Sequence, residues 1–388
     1  MTLEEADGMN HKHANLIKPI SGEFGRNEMA ILGTNCSNIR NLAYTIIDRL
    51  SAKINIAYVD ADHKSGAETI ANTTALSKGA SLEYTDKIDF ARIDYNKQPN
   101  KFERQSLFNQ QGLILVNGNH FTAKAQILVI DSAKPVEKKL DKLTSVQLII
   151  LLGDETIPAY LGEHLDQQNI PVCTIDDLDT IVGFIQSFLQ KAAPPLKALV
   201  LSGGKSTRMK TDKGSLAYHG VSQRKYLFDM MSRYCKTFVS CNHQQAVELA
   251  EDFTKLEDTF LNLGPIGGIL SALQSDPNAA WLTVACDLPY LSENTIQYLI
   301  NHRNPAKTAT AFLDPNGEFP EPLITIWEPE SYLVLLQFLA QGYSCPRKVL
   351  INADVEILQA PDVAEFENVN LPEQSRQAMQ HINADNID

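Results

Sequence analysis

Lys197-Ala-Leu-Val-Leu-Ser-Gly-Gly-Lys-Ser-Thr-Arg-Met-Lys-Thr-Asp-Lys213 is the stretch on which the reading of this chain turns. It starts as a short apolar run of the kind that forms a buried strand. It then breaks at two adjacent glycines into a polar loop over 203–213 that carries Lys205, Arg208, Lys210 and Lys213 against a single acid, Asp212. A helical stripe of Leu227, Met230, Met231 and Tyr234 follows. In an open α/β sheet, ligands bind beyond the carboxyl ends of the strands, here at Leu201 and Ser202. Without Cβ atoms, Gly203 and Gly204 let backbone N–H groups approach a ligand closely. Arginine grips phosphate oxygens with a planar fork and lysine acts as a point charge, so this loop suits a triphosphate. The plain alternative is a solvated basic surface loop.

The same strand-then-helix rhythm runs outward in both directions. Downstream, Thr237–Cys241, Trp281–Cys286 and Leu323–Trp327 read as strands, and Gly264–Leu273 opens a helix. Upstream, Glu28–Gly33, Ile54–Val59, Leu113–Val116, Ile127–Ile130 and Gln147–Leu152 read as strands. Helices are expected from Ile39 to Leu50, with apolar residues at i, i+3, i+4 and i+7, and from Ile181 to Leu189. Alternating strands and helices predict an α/β fold with parallel sheets covered on both faces, here two three-layer αβα domains. Residues 1–26 lack periodicity and are expected to be a loose tail. Lys191-Ala-Ala-Pro-Pro-Leu-Lys197 reads as a linker, because two prolines remove backbone donors and block helix continuation. The expected domains are therefore 27–190 and 197–388, joined by 191–196.

Composition narrows the function. The 388 residues are 44% hydrophobic and 21% charged, as in ordinary soluble domains. The longest apolar run, Val146 to Gly153, is far short of the roughly 18 residues needed to span a bilayer. The acidic start, MTLEEADGMN, lacks the hydrophobic region of a secretory signal. The six cysteines show no C-x-x-C spacing, which argues against zinc and disulfides and fits a reducing cytoplasm. A net charge of −13 makes the chain a poor general binder of nucleic acid. It leaves room for a small phosphorylated substrate, because screening confines surface fields to about 10 Å.

Gly-Gly-Lys-Ser-Thr-Arg-Met-Lys-Thr-Asp-Lys213 resembles the G-G-x-S-x-R-M-G-x-D-K pattern of molybdenum cofactor guanylyltransferases, with Lys210 in place of a glycine. Further matches follow in the family's order. Ser240-Cys-Asn-His243 resembles its strand ending in asparagine, and Leu256-Glu-Asp-Thr259 its acidic turn. Gly264-Pro-Ile-Gly-Gly268 resembles its helix start, and Ala285-Cys-Asp-Leu-Pro289 its metal-binding turn. Glu321-Pro-Leu-Ile324 resembles its H-P-x-x with glutamate for histidine, and Phe366-Glu-Asn-Val-Asn-Leu-Pro-Glu373 its closing N-V-N-x-P-E. The resemblance implies a Rossmann-like fold of the nucleotidyltransferase and glycosyltransferase-A type for 197–388. It implies nucleotide contacts by Leu201, Ser202, Gly203, Gly204, Lys205, Lys213, Asn242, Asp258, Gly264 and Asp287. The substrates implied are GTP, favoured over CTP by the Gly203-Gly204 pair, and molybdopterin or a related phosphorylated small molecule. Cofactor-assembly proteins or a molybdoenzyme would be its protein partners.

Nucleotidyl transfer brings two anions together at the α-phosphorus, so catalysis is mostly charge neutralisation and alignment. Magnesium prefers hard oxygen ligands and takes few of them from protein. Asp287, at the end of the strand Trp281–Cys286, suits that role, although aspartate also commonly caps turns. By resemblance Asn370 is the second ligand, with Asn368 behind it. Lys213 and Arg208 are the expected catalytic cations: Lys213 at the α-phosphate, and Arg208 with Lys205 on the departing pyrophosphate. A phosphate monoester acceptor has its second pKa at about 6, so it needs no general base at neutral pH.

The first half more faintly resembles the P-loop partner protein of molybdenum cofactor biosynthesis. A working P-loop needs Gly-Lys followed by Ser or Thr. Gly33-Thr-Asn-Cys-Ser-Asn-Ile-Arg40 keeps only the first glycine, and Ile39 falls on the buried stripe of the next helix. This half is therefore expected not to hydrolyse nucleotides, leaving partner docking, receipt of cofactor or dimer stabilisation. His63 and His120 with Asp60 and Asp62 read better as polar loop residues than as a metal site. Two other readings of the whole chain stand beside guanylyl transfer. One is a sugar-phosphate or CTP-using nucleotidyltransferase; the other is a non-catalytic carrier or scaffold.

Overall fold

A computed structural model describes residues 14–61, 74–162, 164–165, 169–202, 212–250 and 252–385, without the side chains of 383–385. The chain divides into two compact units, Ser21–Ala192 and Ala193–Asp388, the latter with residues up to Ile20.

In the first unit, strand β1 (Glu28–Leu32) lies at the centre of a parallel sheet. The order is β2 (Ile56–Val59), β5 (Leu113–Asn117), β1, β6 (Ala125–Ile130), β7 (Val146–Leu151) and β8 (Val172–Thr174). Helix α1 (Cys36–Leu50) buries Ile39, Leu42, Ala43, Ile46 and Leu50 against it, and α3 (Leu178–Lys191) adds Ile181 and Ile185. A two-stranded antiparallel ribbon, β3 (Leu82–Asp86) with β4 (Ala91–Tyr95), and helix α2 (Lys101–Leu107) lie between β2 and β5 in the sequence and were not expected. Their apolar residues are largely exposed, so no buried stripe marked them.

Part of the expected tail is ordered. Phe24 is 3% exposed and packs edge-on to Phe108 and Phe121. Buried Glu28 holds the turn before it, accepting from the backbone N–H groups of Glu23, Phe24 and Gly25 and from that of Lys124. Further back, the Ile20 N–H donates to Asn278 Oδ1 in the second unit's own fold. A short polar segment with one anchoring aromatic carries too little periodicity to be read as structure.

In the second unit the order is β11 (Lys255–Glu257), β10 (Lys236–Cys241), β9 (Leu196–Leu201), β12 (Ala280–Ala285), β14 (Pro320–Trp327), β13 (Ala309–Leu313) and β15 (Val355–Leu358). The sheet is not wholly parallel, since β14 runs antiparallel to both β12 and β13. Only residues 314–319 connect β13 to β14, too few for the crossover that a parallel pair requires. Chain order reverses at β9, with β10 on one side and β12 on the other. That boundary is the switch point at which α/β sheets bind ligands. Trp281 and Trp327 are fully buried in the core beneath it. Among the described residues, no helix is long and apolar enough to cross a membrane. All six cysteines are free thiols.

Candidate functional site

The site is built at the ends of β9 and β12, where Leu201 pairs with Ala285 in register. Ser202 continues from one strand, and Cys286 and Asp287 from the other. A single 3-10 turn, Lys213–Ser215, returns the chain to this point. Asp212 opens the turn by accepting from the Gly214 N–H through Oδ1 at 3.0 Å. Lys213 Nζ then lies 3.7 Å from Asp287 Oδ2 and donates to Asn370 Oδ1 at 2.6 Å. Residues 366–373 are brought alongside by the Val369 N–H, which donates to the Asp287 carbonyl at 3.0 Å.

Asp287 is mostly buried, and burial pushes its carboxyl above the usual carboxylate range despite the opposing charge of Lys213. Its Oδ1 is buried without a hydrogen-bond partner, and so is Asn368 Oδ1. Buried polar atoms of this kind usually have a partner. Two unsatisfied hard oxygens on converging segments fit a divalent cation of the magnesium type.

The cavity beside this pair measures about 640 Å³ and is lined by Leu201, Ser202, Lys213, Ser240, Asn242, Asp258, Gly264, Gly268, Asp287 and Leu323, among others. That volume suits a nucleotide-sized ligand. Seven of the residues named from the sequence, Leu201, Ser202, Lys213, Asn242, Asp258, Gly264 and Asp287, thus line one space. Asn370 reaches the site through Lys213. Gly203, Gly204, Lys205, Arg208 and Lys210 lie outside the described residues.

Each lining residue also has a local reason for its place. Asn242 caps α5 (His243–Glu248) in a reciprocal box with Gln245, so the capping role and the ligand role fall on one residue. Asp258 accepts from Ser240 Oγ at 2.7 Å, and burial still pushes its carboxyl up. Gly264 precedes α6 (Pro265–Ser275) with φ at +67°, a conformation that favours glycine. A Cβ on Gly268 would come within 2.8 Å of Ser240 Oγ and 2.9 Å of Leu201 Cδ2, so glycine lets α6 pack closely on β9 and β10. Glu321, which stands where the family pattern has histidine, is 2% exposed. Its carboxylate accepts from the Leu323 N–H at 3.0 Å and from Arg347 at 3.2 Å.

Gln223 and Arg224, at the start of α4 (Gln223–Ser232), belong to none of the motifs that mark the site in the sequence. Both are buried, and both bond to the segments that carry the site. The signal at Arg224 is a cation in the first turn of an amphipathic helix, where the dipole disfavours it. His219 also supports the site, bonding through Nε2 to the Pro289 carbonyl at 2.8 Å and stacking on Tyr226.

In the first unit, the glycine loop is bonded to its own surroundings. Thr34 Oγ1 donates to Asp131 at 2.5 Å and accepts from Asn38 at 2.9 Å, while Lys134 donates to the Thr34 carbonyl at 2.9 Å. Ile39 is fully buried, and Arg40 pairs with Asp60. Asp60 also accepts from Tyr58 and Asn117, and His120 lies 3.3 Å from Cys36 Sγ. Asp62 and His63 lie outside the described residues. Among the described residues, no cluster of three or more His, Cys, Asp or Glu could hold a metal.

A cavity at the switch point with a lysine and an aspartate close together on its wall is the arrangement that a domain of the nucleotidyltransferase class requires. Residues 198–356 match the MobA-like NTP transferase domain. The chain is 35% identical over 182 residues to a molybdenum cofactor biosynthesis bifunctional protein of Synechocystis, a match covering 46% of this chain and 52% of that one. The chain thus spans about half the length of that relative. It is 28% identical over 159 residues to a molybdenum cofactor guanylyltransferase of Shewanella putrefaciens, covering 40% of this chain and 80% of that one. A solved structure of molybdopterin-guanine dinucleotide biosynthesis protein A from Archaeoglobus fulgidus overlaps 48% of this chain and 99% of its own, with a TM-score of 0.41 and 20% identity.

Proposed function

We propose that this chain transfers GMP from GTP to molybdopterin and releases pyrophosphate. The observation that carries the reading is the Lys213–Asp287 pair, 3.7 Å apart beside one nucleotide-sized cavity. The relatives named as guanylyltransferases support the choice of donor and acceptor. An oxygen of the acceptor's phosphate monoester attacks the α-phosphorus, forming the new P–O–P bond. The bond from the α-phosphorus to the bridging oxygen breaks, and pyrophosphate leaves with its electron pair. Lys213 neutralises the α-phosphate, and Lys205 and Arg208 hold the β- and γ-phosphates. Asn242, Asp258 and the backbone at Gly264 hold the nucleoside.

Magnesium would be held by Asp287 and Asn370, with the unpartnered Asn368 oxygen as the fallback ligand, and would supply charge to the polyphosphate. An amide oxygen accepts two bonds, so the Lys213 contact leaves Asn370 able to ligate. The segment 27–190 serves in this reading as a degenerate P-loop unit that docks a cofactor-assembly protein or a molybdoenzyme, and the reaction takes place in the cytoplasm. The test is pyrophosphate release from each of the four NTPs, with and without molybdopterin. Release from GTP that requires molybdopterin is expected. Release with a sugar phosphate instead, or from no NTP, would refute the assignment.

A further inference from the structure

Helix α4 opens with two polar residues that are almost wholly buried, Gln223 at 0% and Arg224 at 8% exposure. A buried guanidinium is tolerated only with partners, and those of Arg224 flank the basic loop. Its Nε donates to Ser202 Oγ at 2.6 Å, and its NH2 nitrogen donates to Asp212 Oδ2 at 2.5 Å. Asp212 immediately precedes Lys213, and its other oxygen opens the turn that aims Lys213. Gly214 makes room for this contact, since a Cβ there would fall 2.7 Å from the same guanidinium nitrogen. Next to Arg224, Gln223 Nε2 donates at 3.0 Å to the carbonyl of Leu288, the residue after Asp287. One helical turn therefore grips the chain beside Lys213 and beside Asp287.

We propose that Arg224 is a positioning residue of the transferase site, acting through Asp212 and Ser202 to hold Lys213 towards Asp287. This inference rests on the function proposed above. The planar fork is essential, because a lysine at 224 would keep the charge but lose the two-point grip.

The test is pyrophosphate release by the full chain with GTP, magnesium and molybdopterin. Arg224→Gln should lower kcat by about 10- to 100-fold, as expected for a displaced catalytic group, with KM for GTP changing less than about threefold. Arg224→Lys should recover only part of the loss. Asp212→Asn keeps the cap on Gly214 but loses the ionic contact with Arg224, and should lower kcat to a similar degree. The Arg224→Gln/Asp212→Asn double variant should be no slower than the slower single variant, because both cut one link. If Arg224→Gln fails to fold, Arg224→Lys and Asp212→Asn decide the matter: both slow supports the link, and either at the wild-type rate overturns it. On an active wild type, full activity in Asp212→Asn, or losses that multiply in the double variant, would overturn the positioning role alone. A wild type inactive with every NTP would overturn the transferase reading and this inference together.

Discussion

Lys213 Nζ stands between Asn370 Oδ1, at 2.6 Å, and Asp287 Oδ2, at 3.7 Å, and so joins three stretches of chain far apart in sequence. The cluster is not self-sufficient. The second Asp287 oxygen is buried and unpartnered, and burial holds that carboxyl above its ordinary range. Leaving a buried acceptor unpaired typically costs about 1–3 kcal/mol. A fold keeps such a cost where a ligand removes it, and a metal-bound polyphosphate would supply both the missing cation for Asp287 and the anion for Lys213.

Replacing Lys213 by alanine should reduce GTP-dependent pyrophosphate release by at least about 100-fold. Lys213 is part-buried at the rim of the cavity and is not in the hydrophobic core, so the urea midpoint should stay close to that of the wild type. A wild-type turnover rate would remove Lys213 from the mechanism.

The same variant should hydrolyse neither ATP nor GTP above background. Position 39 is a buried isoleucine and Arg40 is paired with Asp60, so the first unit lacks the lysine and hydroxyl that a phosphate loop uses. Steady phosphate release by Lys213→Ala would show a second nucleotide site in that unit.

Local pattern made much of the fold and the site legible. The strand beginning near Lys197, the aspartate closing the next core strand and the glycine run before α6 each carry their own short-range signal. What escaped were relationships between distant segments. Asn242 reads as a nucleoside contact, yet its side chain also caps α5. Asn370 reads as a metal ligand, yet its oxygen is engaged by Lys213 while Asn368 has the unpartnered one. Arg224 was passed over because its role depends on Ser202 and Asp212, which only the folded sheet brings to it. The antiparallel β14 was missed because an apolar strand reads the same in either direction.

Asp258→Asn should stabilise the chain at neutral pH while weakening GTP binding. Burial raises the folded-state pKa of Asp258 above the ordinary aspartate range. A raised carboxyl contributes stability that is fully present below the unfolded pKa and is lost as pH rises through the folded one. Asparagine still accepts from Ser240 but carries no charge to desolvate. The variant's advantage in urea unfolding should therefore be present at pH 7 and shrink towards pH 4. A difference that does not vary with pH would contradict this electrostatic account.

Gly267→Ala should destabilise the second unit by about 1–2 kcal/mol. Alanine gains up to about 1 kcal/mol of helix propensity, but its Cβ would lie 2.3 Å from the Phe260 carbonyl oxygen, which is backbone and cannot rotate away. Overpacking of this kind costs about 1–3 kcal/mol. A urea midpoint equal to or above that of the wild type would mean that α6 shifts freely at this point.

The most direct measurement is a crystal structure of the full chain with GTP and magnesium. The polyphosphate is expected between Lys213 and Asp287, with the metal on the Asp287 carboxylate and the nucleoside in the cavity lined by Asn242 and Asp258. Nucleotide bound elsewhere, with Lys213 still on Asn370 and the Asp287 carboxylate without a metal, would contradict it.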